Sequence, residues 1–372
     1  MIDRRNSWKW TLGCLVAALA LLGCAKQEQK SSEKNEPVQN SEVSLSGAGA
    51  TFPFPLYSKW ISEYNKLHPN VRINYQSIGS GGGIRQITSG TVDFGATDAP
   101  MSEADAKKAT GTIHHLPMTV GAVVVAYNLP AAGDAKEPSK VELKLDGPLL
   151  ADIFAGKVTK WNDPRIVALN EGNQLPDLAI TVITRTDGSG TTAVFTDYLA
   201  TVSPEFKEKI GVGKAVKWPV GLGAKGNEGV TGQLKTTPGS LGYIELAYAT
   251  QNKLPTALLR NKSGQFVKAS AASGTAAAEG RAMPPSLYVS LADVEGAQAY
   301  PISSYTYLLV FQDAKEEEKG QALAEFLWWA IHEGQKFSAE LDYAPLPASV
   351  VEQLEQRLRG LSFQGKKLLA NR

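Results

Sequence analysis

Three separate segments of this chain share one grammar: a β-rich run enters a cluster of glycine, serine and threonine, and an amphipathic helical pattern follows at once. They are GAGATFPFPLYSKW (47–60), SIGSGGGIRQI (77–87) and TRTDGSGTTAVFTDYL (184–199). Such junctions leave helix N-terminal amides unpaired and let the backbone approach a ligand closely, while the small hydroxyls add donors, so they suit an oxyanion. One junction alone says little, because serine and threonine are also ordinary N-caps. Three in one chain point to convergence on an anion.

The rest of the pattern predicts an α/β architecture, with β-rich runs at 43–45, 71–78, 120–127, 178–184, 241–245 and 305–311 alternating with helical periodicity. A helix over 55–67 turns Leu56, Tyr57, Trp60, Ile61 and Tyr64 to one side. Another over 316–333 turns Leu323, Phe326, Leu327, Ala330 and Ile331 inward and is expected to stop at Gly334. The low-complexity stretch SAASGTAAAEGR (270–281) reads as a surface insertion.

The N-terminus carries Arg4, Arg5 and Lys9 before an apolar run at 11–23 that is too short to span a bilayer, which predicts a signal peptide over 1–23. The run ends Leu21-Leu22-Gly23-Cys24, which resembles a lipobox, so Cys24 is expected to be acylated and to hold the chain to a bilayer. Ala25 in place of an aspartate resembles lipoproteins sorted to an outer membrane. Residues 25–44 are polar and read as a flexible tether. Cys14 lies in the expected signal peptide, so a processed chain would have no disulfide and no cysteine nucleophile. Processing would also leave the net charge near −1, and no basic field draws in nucleic acid.

Other chemistries fit less well. No Walker-type Lys-Ser/Thr pair follows any of the three junctions. GLGAKG (221–226) matches a dinucleotide fingerprint, has a β-rich approach at 215–220 and is followed by Glu245 where a ribose carboxylate would stand, but an exported protein would not meet a cytosolic nicotinamide pool. His68, His114, His115 and His332 lack metal-ligand spacing, and no metal or cofactor is expected. Ser189 between two glycines, helped by Asp187, would be the nucleophile of an exported phosphatase. No histidine stands near it, however, and G-x-S-x-G is not satisfied.

In order and spacing, GAGATFP, IGSGGGIRQI, VDFGATDAPM, TRTDGSGTT, KWPVGLGAKGNEG, GYIELAYA and LDYAPLP resemble the periplasmic phosphate-binding proteins of bacterial phosphate ABC importers. The resemblance covers nearly all of 45–355 and departs near 262–295 and in the C-terminal tail. It implies a two-lobed periplasmic-binding-protein fold, type II-like, each lobe a mixed sheet flanked by helices and joined by a hinge. The first lobe would comprise 45–118 plus 301–372 and the second 119–300. It also implies a monomer that binds inorganic phosphate without catalysis and delivers it to membrane ABC permease subunits. The family's ligand contacts fall on Thr51, Phe52, Ser80, Asp98, Arg185, Ser189, Gly190 and Thr191, with Asp187 beside them.

The chemistry of those residue types agrees. A desolvated phosphate needs nearly every lone pair met by a donor. Backbone amides, Thr51, Ser80, Ser189 and Thr191 offer neutral donors, and Arg185 offers a bidentate fork, with Asp187 two residues on at a strand end and able to pair with it. Asp98 makes sense only if the ligand brings a proton: phosphate near neutral pH retains a P–OH that a carboxylate can accept, whereas fully ionised sulfate has none. A binder of another tetrahedral oxyanion would keep the fold and change the ligand.

Overall fold

The computed structural model describes residues 42–370, so the expected signal peptide, Cys24 and the tether up to residue 41 lie outside the described residues. Strand β1 (Val43–Gly49) runs parallel to β2 (Val71–Ser77) and to β3 (Phe94–Thr97). The connections are helices α1 (Phe54–Leu67) and α2 (Ser80–Ser89). A long strand β4 (Ile113–Asn128) follows, then β5 (Thr181–Arg185), α3 (Gly190–Val202), β6 (Leu222–Ala224), α4 (Gly226–Thr236) and β7 (Ser240–Glu245). Helix α5 (Ala271–Glu279), strand β8 (Ile302–Phe311) and helix α6 (Glu317–Ile331) complete the frame. The strands form one mixed sheet in the order β2-β1-β3-β8-β4-β7-β5-β6.

β4 joins the two halves of that sheet. Its residues 113–122 pair antiparallel with β8, and 123–128 pair antiparallel with β7, so the partner changes between Ala122 and Val123. From Leu116 to Tyr127 every residue is buried, as a central strand covered on both faces requires. The sequence pattern finds only the second half because Pro117 interrupts the first. A register irregularity between Thr306 and Tyr307 lies where β8 passes Pro117, which has no N–H to give to the ladder.

The helices bury the faces that the periodicity assigns, with two corrections. Leu56, Tyr57, Trp60 and Tyr64 of α1 are buried, as are Leu323, Phe326, Leu327, Ala330 and Ile331 of α6; Ile61 is only partly covered. Gly334 does not stop α6. The helix ends at Ile331, and Gly334 lies inside a 3₁₀ turn (Glu333–Phe337), where its carbonyl accepts the Trp60 indole N–H at 2.7 Å. The stretch 270–281 is not a surface insertion either. Ser270 and Ser273 cap α5 reciprocally, Ser273 N–H reaching Ser270 Oγ at 3.1 Å and Ser270 N–H reaching Ser273 Oγ at 2.9 Å. Its buried face is Ser273, Gly274, Ala277 and Ala278, and small side chains there bring the helix backbone close to Ala344 and Val120. The same smallness made the segment look low in complexity.

Candidate functional site

Apart from Cys24, which lies outside the described residues, every sequence-predicted site residue lies at the end of a strand, in the turn that leaves it or in the first turn of the helix that follows. Thr51 and Phe52 leave β1, Ser80 opens α2, Asp98 follows β3 directly and Arg185 is the last residue of β5. Ser189 caps α3, its Oγ accepting Thr192 N–H at 2.9 Å, and Gly190 and Thr191 form the first turn. Carboxyl ends of strands in open α/β sheets are where ligands are received.

The structure brings these positions together. Ser80 Oγ accepts Gly190 N–H at 3.1 Å and Asp98 N–H at 3.3 Å, so three chain segments meet at one hydroxyl. No side chain fits at Gly190: a Cβ there would sit 2.4 Å from Ser80 Oγ and 2.5 Å from Asp98 Oδ2. Gly79 is constrained twice over, by φ of +87° and by a Cβ position 2.2 Å from Asp187 Oδ2. Gly81 N–H also donates to the Gly188 carbonyl at 2.8 Å, binding the α2 turn to the α3 turn.

Arg185 and Asp187 form a bidentate pair. Arg185 Nε donates to Asp187 Oδ1 at 2.7 Å, its Nη2 to Oδ2, and its Nη1 to Thr191 Oγ1 at 3.3 Å. Burial raises the Asp187 carboxyl, but the hydrogen bonds and charge of Arg185, with Gly226 N–H, outweigh it and hold the group below the ordinary carboxylate range.

Asp98 is the opposite case. Burial pushes its carboxyl up to about 7, against the Thr306 hydrogen bond and the charge of Arg185. Thr306 Oγ1 donates to Oδ1 at 2.8 Å, whereas Oδ2 is buried with no partner among the described residues. A buried acceptor left open beside a set of donors is the most informative feature of the site. A cavity of about 280 Å³, bordered by Ala99, Lys214, Tyr288 and Ser304, adjoins Asp98.

Comparison with known proteins places the chain in a family. Residues 29–333 match the model of the PBP superfamily domain. The phosphate-binding protein PstS of Xylella fastidiosa strain Temecula1 is 43% identical over 360 residues, covering 93% of this chain and 96% of that protein. PstS of Pasteurella multocida strain Pm70 is 46% identical over 313 residues, covering 84% and 88%. This chain belongs to the PstS family. Its fold is that of the phosphate-binding protein from Stenotrophomonas maltophilia, with a TM-score of 0.66 at 18% identity, covering 85% of this chain and 94% of that one.

Several residues complete the site of this PstS-family chain without standing out in its sequence. Asn227, fully buried at the start of α4, reaches both Thr51 and Thr191. The Tyr248 hydroxyl donates to the Thr51 carbonyl at 2.6 Å and the Tyr343 hydroxyl to the Phe52 carbonyl at 2.7 Å, which fixes the loop after β1 from two sides. The sequence does carry a signal for Asn227: GLGAKGN is a fourth strand–glycine–helix junction, masked by its likeness to a dinucleotide fingerprint. The approach at 215–220 is not a strand; β6 begins only at Leu222. Glu245 is no ribose ligand, being buried with its Oε2 accepting Ala247 N–H at 2.8 Å and lying 3.0 Å from the Tyr343 hydroxyl oxygen. Burial pushes its carboxyl well above the ordinary range.

The arrangement gives little to a hydrolase. Asp187 is engaged by Arg185 and Gly226 rather than by Ser189. His115 accepts Met101 N–H through Nε2 at 3.0 Å, and burial lowers it to about 4. Among the described residues no group of three or more His, Cys, Asp or Glu is placed to hold a metal ion, and no helix is long and apolar enough to cross a membrane.

Proposed function

We propose that this chain captures inorganic phosphate outside the cytoplasmic membrane and delivers it to the permease subunits of an ABC-type importer. The observation that carries the reading is the buried, unpartnered Asp98 Oδ2 beside Ser80 and the Gly190 turn: the donors of these turns suit a desolvated oxyanion, and the open acceptor suits an oxyanion that still bears a proton. Thr51, Ser80, Ser189 and Thr191 supply hydroxyls, Phe52 and Gly190 supply backbone, and Arg185 supplies the positive charge, held in orientation by Asp187. The chemistry is binding without turnover. The likeness to PstS proteins supports the same conclusion.

In this reading residues 45–118 plus 301–372 form one lobe and 119–300 the other, with the site between them. The exchange of partners within β4 at Ala122 and Val123, four residues past that boundary, supports a hinge there, since β4 can bend at that point while 113–122 stay paired with β8 and 123–128 with β7. The protein acts as a monomer, exported by its signal peptide and held to the bilayer through acylated Cys24.

The test is titration calorimetry of the purified protein with phosphate, arsenate and sulfate, in parent and Asp98→Asn. The parent should prefer phosphate over sulfate by a dissociation-constant ratio on the order of 10⁴, as other polar-mismatch rejections do, and the variant should shrink that ratio at least about tenfold. A parent that binds sulfate as well as phosphate, or a ratio that Asp98→Asn leaves unchanged, refutes the proton-reading role. Release of phosphate from an aryl phosphate ester would favour the phosphatase reading instead.

A further inference from the structure

We propose that Asn227 is a positioning residue that obliges the Thr51 and Thr191 hydroxyls to act as donors toward the bound oxyanion, an inference that rests on the phosphate-binding reading above. A threonine hydroxyl has two lone pairs and one proton, and in solution it can present either to a ligand. For an anion only the proton helps. Whatever occupies the lone pairs therefore decides whether the hydroxyl is useful.

Both hydroxyls have their lone pairs occupied by groups that can only donate. Thr51 Oγ1 accepts Asn227 Nδ2–H at 2.7 Å and Asn227 N–H at 3.2 Å. Thr191 Oγ1 accepts Asn227 Nδ2–H at 3.2 Å and Arg185 Nη1–H at 3.3 Å. The amide of Asn227 is itself fixed the right way round, because its Oδ1 accepts Glu245 N–H at 3.0 Å, and a backbone N–H cannot accept in return. Nδ2 must then be the end that faces the threonines, and its two hydrogens are divided between them. The protons of Thr51 and Thr191 are left to point at the ligand. Asp98 is the counterpart: one acceptor held open for the ligand's proton, and two hydroxyls held as donors for its charged oxygens. Asn227 itself is fully buried.

The experiment is a double-mutant cycle on phosphate affinity, measured by calorimetry with thermal melting as a folding check. Asn227→Ala should weaken phosphate binding at least about tenfold in the parent, and by a factor at least about threefold smaller in a Thr51→Val background, where one hydroxyl is gone. In a Ser80→Ala background, whose hydroxyl Asn227 does not touch, the factor should match the parent's. The same factor in the parent and in Thr51→Val, or a loss below about threefold in the parent, overturns the proposal. Should Asn227→Ala not fold, Asn227→Asp carries the test: its carboxylate accepts the threonine protons, so affinity should fall at least about tenfold, and parent-like affinity would refute the idea. The parent's own titration decides the phosphate reading separately. If it binds arsenate or sulfate instead, the cycle is run with that anion, and binding of none of the three overturns both.

Discussion

Asp98 should make the ligand-free protein lose stability as pH rises, which is the reverse of the usual behaviour of a native carboxylate. Burial, with a small contribution from the charge of Asp187, takes this carboxyl from an ordinary value of 3.8 to about 7, against the Thr306 hydrogen bond and the charge of Arg185. Between those values the folded state holds a proton that the unfolded state has released, so the slope of unfolding free energy with pH is negative. Below about pH 4 both states are protonated, and the full stability from this group is present; above about pH 7 both are ionised, and it has been lost. A separation of about three pKa units corresponds to roughly 4 kcal/mol in total, of which roughly 2–3 kcal/mol falls between pH 5 and pH 8. The assay is urea unfolding of phosphate-free parent and Asp98→Asn at those two pH values. Asparagine retains an acceptor for Thr306 and cannot ionise, so its costs are independent of pH. The parent should lose about 2–3 kcal/mol more than the variant on going from pH 5 to pH 8. Titrating groups that do not interact with Asp98 cancel in that difference, and the coupling of Asp98 to Glu245 is the smallest of the influences on the Glu245 carboxyl. Equal losses within about 1 kcal/mol would show that Asp98 ionises in the folded protein as it does in the unfolded chain, and the account of an unpartnered, desolvated carboxyl would be wrong.

Arg185→Lys keeps the charge but cannot hold Asp187 with two parallel bonds while reaching Thr191, so phosphate affinity should fall about ten- to a hundredfold by calorimetry; unchanged affinity would remove Arg185 from the site. Gly190→Ala places a methyl within 2.5 Å of Asp98 Oδ2 and of Ser80 Oγ, which must then separate from the α3 turn. Phosphate binding should weaken at least about tenfold, and parent-like binding would refute the close approach. Cys24→Ser should move the processed protein from the membrane fraction to the soluble fraction with phosphate affinity unchanged. Retention in the membrane after signal-peptide removal would argue against lipid anchoring.

Much of the candidate site is legible because its chemistry is local. Gly79, Ser80, Arg185, Asp187, Ser189, Gly190 and Thr191 lie in strand-to-helix turns, where backbone sterics and the unpaired amides of a helix start restrict the residue types to glycine and small hydroxyls. The periodicity of 55–67 likewise marks the buried face of α1, since a helix on a sheet must present a stripe every three to four residues. What the sequence could not carry was the pairing of remote segments. Thr306 meets Asp98 only because β8 lies between β3 and β4, and Asn227 meets Thr51 only once the start of α4 is brought to the turn after β1. Nothing local distinguishes either residue from an ordinary polar position. Asp98 illustrates the division: its carboxylate is visible in VDFGATD, but whether it would be a solvated loop group or a desolvated acceptor depends on what surrounds it. Tertiary packing decided that by closing water away from Oδ2 while supplying a partner only to Oδ1, because desolvation is a property of all the atoms around a group and not of its neighbours in the chain.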